Sequence, residues 1–173
     1  MKRLLILVMV MAALSLAGCG AFASGEATVE RAERIATFDV PEGFTPGFSA
    51  DLGGVLMVTY DHEDGRSHII VTQAPESANV SREELEASVR RSLASSSAAE
   101  MVETSEMQEI PVTICGEEVK GAIGTGTSSA DGAAYRVLSV PFAGDGGPAI
   151  VLFQRPEAAW DQAEADGFIA SFR

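Results

Sequence analysis

The chain has 173 residues, 46% of them hydrophobic, which is enough for one domain with a substantial core. Its 25 acidic residues against 12 basic ones give a net charge of −13, which repels phosphate backbones and argues against nucleic-acid partners. With two cysteines and two histidines, thiol, imidazole and metal-cage chemistry have few side chains to draw on.

Met1-Lys2-Arg3 is a short cationic start, and Leu4 to Ala17 then run without a charge, Ser15 being the only polar side chain. As a helix those 14 residues span roughly 21 Å, short of the ~30 Å hydrocarbon core of a bilayer. A basic start, a short apolar run and small residues before a cut site describe a secretory signal rather than a membrane span. Leu16-Ala17-Gly18-Cys19 resembles the bacterial lipobox, which implies cleavage after residue 18 and lipid attachment at Cys19. Two or three acyl chains, at ~0.8 kcal/mol per buried methylene, hold a protein stably on a membrane. Gly20 follows where an Asp would resemble an inner-membrane retention signal. In a Gram-negative cell this favours the periplasmic face of the outer membrane.

Loss of Lys2 and Arg3 leaves 10 basic residues against 25 acidic ones, a net charge of −15, with Lys120 the sole lysine. Anchoring is thus left to the lipid rather than to charge. With Cys19 acylated, Cys115 has no intrachain disulfide partner. It closes Val112-Thr113-Ile114-Cys115-Gly116, which reads as a strand running into a turn and predicts a buried, inert thiol.

Residues 20–33 show little apolar periodicity and read as a tether of about 20 Å. Ile35 to Val40 alternates and reads as the first strand, ended by the turn residues of Pro41-Glu42-Gly43-Phe44-Thr45-Pro46. Val55 to Tyr60 and Ser67 to Ala74 form a hairpin through Asp64-Gly65, a pair that suits a type I′ turn. That register sets Glu63 opposite Arg66, Asp61 opposite His68 and Tyr60 opposite Ile69. Leu56, Val58, Tyr60, Ile69 and Val71 then share the core face. Ser81-Arg82-Glu83-Glu84 is a capping-box pattern, and Leu85, Val89 and Leu93 supply the buried stripe of a helix over 81–93. Four strands follow, at Met107–Ile114, Glu118–Thr127, Ala134–Phe142 and Ala149–Gln154. The closing helix runs from Pro156 to Phe172, with Trp160, Ala163, Gly167, Phe168 and Phe172 on its buried side. The order β-β-β-α-β-β-β-β-α predicts an α+β domain over 34–173 on a largely antiparallel sheet.

Four places resemble the Mog1/PsbP-like fold, in particular bacterial envelope proteins related to DcrB and LpqN. Phe38-Asp39-Val40-Pro41-Glu42-Gly43-Phe44 is similar to the opening strand and turn, and Ser81–Leu93 to the first helix. Val112–Thr127 is similar to the central hairpin, and Ala149–Arg173 to the closing strand and helix. The resemblance implies an antiparallel sheet between helices, used mostly for binding or assembly. It brings no shared catalytic residues, so fold alone transfers no function.

Two patterns invite chemistry. Gly121-Ala122-Ile123-Gly124-Thr125-Gly126 lies inside a strand with no helix after it, so its glycines suit close packing rather than a phosphate loop. Asp61, His62 and His68 form a polar cluster at the hairpin tip, but alternation puts the histidines on opposite faces, leaving an Asp61–His68 cross-strand pair. The carboxylates there do not continue into a calcium loop. No Gly-x-Ser-x-Gly motif is present. The expectation is a membrane-anchored, non-catalytic binding or assembly module that needs no cofactor or metal and engages a protein partner. A small-molecule or metal carrier is the alternative.

Overall fold

The computed structural model describes residues 22–77, 84–85, 102–129 and 131–173. Among them eight strands pair into one open sheet: β1 (Phe22–Ser24), β2 (Phe44–Leu52), β3 (Val55–His62), β4 (His68–Gln73), β5 (Val102–Ile114), β6 (Glu117–Ser128), β7 (Ala134–Gly144) and β8 (Gly147–Pro156). Their spatial order is β1-β2-β3-β4-β8-β7-β6-β5, and every neighbouring pair is antiparallel. With helices α1 (Glu26–Glu33) and α2 (Gln162–Ala170), the architecture is α+β.

The central strands read as their alternation dictates. Leu56, Val58, Tyr60, Ile69 and Val71 all join the main core, together with Val140, Val151 and Phe153 from β7 and β8. From α2 and the residues after it, Ala165, Phe168, Ile169 and Phe172 close this face. Phe38 caps it, stacked on Phe172 at 4.7 Å between centroids and edge-on to Tyr60 and Phe168. On the opposite face Met57, Ile70, Ala74, Ile150 and Leu152 cluster with Leu85. Glu84 and Leu85 are helical; the rest of the helix expected over 81–93, including the Ser81 cap, lies outside the described residues.

The N-terminal region departs from expectation. Residues 22–33, expected as tether, carry β1 and α1 instead. Eight residues are too few for a helix to persist alone. This one is held by docking: Thr28 donates to the Gly47 carbonyl and the Ser49 hydroxyl, both at 3.2 Å, and Ala32 enters the core. Ile35 to Val40 is not a strand. It leaves α1 through a turn and crosses the core as a strap, with Ile35 and Ala36 both buried and Thr37 exchanging backbone hydrogen bonds with Arg173. The missing strand is β2, whose alternation is interrupted by Pro46 and Gly47 and by a register shift between Pro46 and Ser49.

Two turns and one helix start also differ. The β3–β4 tip is not type I′, because only Gly65 there has a positive φ (67°). Gly65 N–H donates to the His62 carbonyl, and Glu63 N–H turns to the Gly43 carbonyl rather than facing Arg66. Type I′ geometry, with positive φ at both central residues, belongs instead to Cys115 (51°) and Gly116 (76°) between β5 and β6. At the chain's end β8 runs through Pro156, and α2 is capped by Asp161, whose carboxylate accepts from the Ala163 and Glu164 amides. Its buried side is Ala165, Phe168 and Ile169, whereas Ala163 and Gly167 are exposed.

Candidate functional site

At the β3–β4 tip the expected cross-strand pair is present. The His68 Nδ1 and an Asp61 Oδ1 are 2.8 Å apart at directly opposed register positions. The carboxylate oxygen is thus the hydrogen-bond partner of the Nδ1 side of the ring. His68 is 8% exposed, and its Nε2 is buried without a hydrogen-bond partner. Among the described residues no hydroxyl or thiol hydrogen-bonds to that nitrogen.

His62 belongs to the other face. Its ring packs edge-on to Phe44 at 4.9 Å and crowds Gly43, where a Cβ would fall 2.5 Å from Nε2. The His62 Nδ1 accepts the Asp64 amide at 3.1 Å. The same nitrogen lies 3.2 Å from an oxygen of the Asp64 carboxylate. The structure thus brings Asp61 and His68 together and leaves His62 apart. Among the described residues no group of three or more His, Cys, Asp or Glu side chains converges as a metal site.

Asp64 organises the tip itself. Its Oδ1 accepts the Arg66 and Ser67 amides at 2.7 and 2.8 Å, and its Oδ2 accepts the Ser67 hydroxyl at 2.8 Å. Burial pushes its carboxyl up, but these three hydrogen bonds and the neighbouring His62 outweigh that and bring it down to about 2. Arg66 reaches from the same tip to Asp131 in the β6–β7 turn at 2.7 Å.

Cys115 corrects the expectation of a buried thiol: it is exposed, at the corner of the β5–β6 hairpin. Partial burial, then the Glu117 and Asp145 carboxylates, push the thiol up and disfavour the thiolate. The glycine-rich run lies within β6 throughout. A Cβ on Gly121 would sit 2.8 Å from a Val112 methyl, and Gly126 lies directly opposite the fully buried Tyr135. Both observations are packing, as the strand context predicts.

The grooves fall elsewhere. One of about 220 Å³ opens between α1, the 36–40 strap and the β2–β3 edge, walled by Val29, Phe38, Val40, Phe44 and Pro46 over Tyr60. Burial, then the Glu33 carboxylate, push the Tyr60 hydroxyl up, so it stays a neutral donor. A second, of about 650 Å³, lies along β5–β7 beside Met107, Gln108, Ile123, Thr125 and Arg136. A small apolar hollow of about 240 Å³ adjoins Leu85, Pro141 and Ile150. The first groove is invisible if residues 22–33 are read as tether. The signal that finds it is Thr28, Ala32 and Ile35, spaced four and three apart as one helical face.

No family model matches the chain, and no curated protein matches it either.

Proposed function

We propose that this chain is an exported lipoprotein, cut after Gly18 and acylated on Cys19, whose Mog1/PsbP-like domain serves at a membrane of the cell envelope as a non-catalytic binding or assembly module. The observation that carries the reading is the sequence around residue 19: a cationic start, an apolar run too short to span a bilayer, and Leu-Ala-Gly-Cys. Cys115, exposed but held in its protonated form by partial burial and by Glu117 and Asp145, is a poor nucleophile, which fits a binding role. The net charge of −15 expected after cleavage favours a protein partner over nucleic acid. The Mog1/PsbP-like assignment draws on the antiparallel sheet with a closing strand and helix at Gly147–Ala170.

Cys19→Ala is expected to abolish labelling by palmitate and recovery in the membrane fraction while the domain stays folded. Persistence on the membrane through a carbonate wash, or an intact mass that retains residues 1–18, would overturn the reading. A carrier role is the second reading, favoured by the apolar groove over Tyr60. Native mass spectrometry that finds a co-purified small molecule lost on filling the groove with Val29→Trp would support it.

A further inference from the structure

The large apolar side chains left exposed among the described residues are Phe22 (62%), Val29 (37%) and Val40 (37%). All three fall within the first 19 described residues, on β1, on α1 and on the strap between α1 and β2. β1 is the outermost strand, and α1 and the Val40 end of the strap flank β2 beside it. Phe22 sits on the three-residue outermost strand, where it pairs with Ala50, and Val29 and Val40 stand on the lip of the groove beside β2. Single exposed apolar residues are ordinary, but their confinement to one edge is a pattern with a location.

Chain length supplies the occupant. Phe22 follows Cys19 by three positions, which bridge at most about 10–11 Å even when fully extended. An acylated Cys19 therefore holds the β1 edge at the headgroup layer, with no slack for the domain to float away. We propose that the domain stands on the bilayer by its β1 edge, with Phe22 inserted at the interface and Val29 and Val40 facing lipid. This inference rests on the lipid-anchor reading and adds to it an orientation. Aromatic side chains favour that interfacial depth. The expected net charge of −15 makes a zwitterionic rather than an anionic lipid surface the fitting partner.

The strand order fixes what points away. Seven inter-strand steps separate β1 from β5, and at ~4.8 Å each they span about 34 Å before twist. The β5–β6 hairpin with exposed Cys115 is then the outermost edge, projecting into the envelope.

Cys115 also makes the test direct, because it is the one thiol left once Cys19 is acylated. The acylated full-length protein is reconstituted in phosphatidylcholine vesicles with or without brominated acyl chains and labelled with bimane. The label is placed on native Cys115, or at position 22 or 29 using Phe22→Cys or Val29→Cys combined with Cys115→Ser. Both replaced positions are exposed, so folding is retained, as circular dichroism checks. Bimane at position 22, and to a lesser degree at 29, is expected to lose at least half its emission in brominated vesicles, while bimane on Cys115 loses none. Co-flotation with vesicles but no quenching at position 22, or equal quenching at 22 and 115, overturns the orientation and leaves the anchor intact. Failure of the unsubstituted protein to co-float overturns the anchor and the orientation together.

Discussion

Replacing Asp64 by alanine strips the β3–β4 tip of three hydrogen bonds at once, those from Arg66 N–H, Ser67 N–H and the Ser67 hydroxyl. The carboxyl falls from its ordinary 3.8 to about 2 in the fold, which corresponds to roughly 2.4 kcal/mol favouring the ionised form. The side chain is 31% exposed, so solvent screening reduces that to about 1–2 kcal/mol. Ser67 is fully buried, and leaving its hydroxyl without an acceptor adds about 1 kcal/mol or more. Asp64→Ala is therefore expected to lose about 2–3 kcal/mol at pH 7, and Asp64→Asn less, because its amide oxygen still accepts both backbone amides. A lowered carboxyl contributes fully above pH 4 and loses its contribution as pH falls toward 2. The gap between native protein and Asp64→Ala should accordingly narrow by about 1 kcal/mol from pH 7 to pH 2.5. Urea unfolding followed by circular dichroism at both pH values measures it. A loss below 0.5 kcal/mol at pH 7, or a gap that widens on acidification, would refute the reasoning.

Two further outcomes test the β5–β6 and β7–β8 turns. Iodoacetamide should alkylate Cys115 in the undenatured protein, slowly at pH 7 and with a rate still climbing above pH 9, because burial and two carboxylates hold the thiol protonated; labelling that requires denaturant would contradict its exposure. Gly147 has φ of 141°, and a Cβ there would lie 2.5 Å from the Ala74 carbonyl oxygen and 2.7 Å from the Glu76 amide nitrogen. Gly147→Ala is thus expected to cost about 3 kcal/mol and to lower the melting temperature by roughly 6–12 °C; a shift within 2 °C would show that this backbone approach is looser than described.

The signals on which the proposed leader and acylation at Cys19 rest are local: charge, apolar length and small residues read in one window. The central hairpin and its core face are legible for the same kind of reason, since alternation at period two fixes which side of β3 and β4 is buried once a turn sets the register. That reading also separates His62 from His68 correctly and pairs His68 with Asp61. What failed was local pattern that tertiary contact overrides. Asp64-Gly65 is a good type I′ sequence, yet Gly43 captures the Glu63 amide and the Asp64 side chain claims two others, and the turn changes type. Cys115-Gly116, with positive φ at both positions, takes the type I′ form.

The N-terminal edge shows the division most clearly. Sequence by itself determined that a charged start, a short apolar run and a lipidation-like cysteine precede an acidic domain rich in strands, because each depends only on residues adjacent in the chain. Only the tertiary structure decided that residues 26–33 are helix rather than tether, that 35–40 is a strap rather than a strand, and that Phe44–Leu52 joins the sheet. A helix of two turns and a strand broken by proline and glycine are marginal alone; each exists because the other, and β3 beyond it, supplies hydrogen bonds and buried surface that no single window of sequence contains.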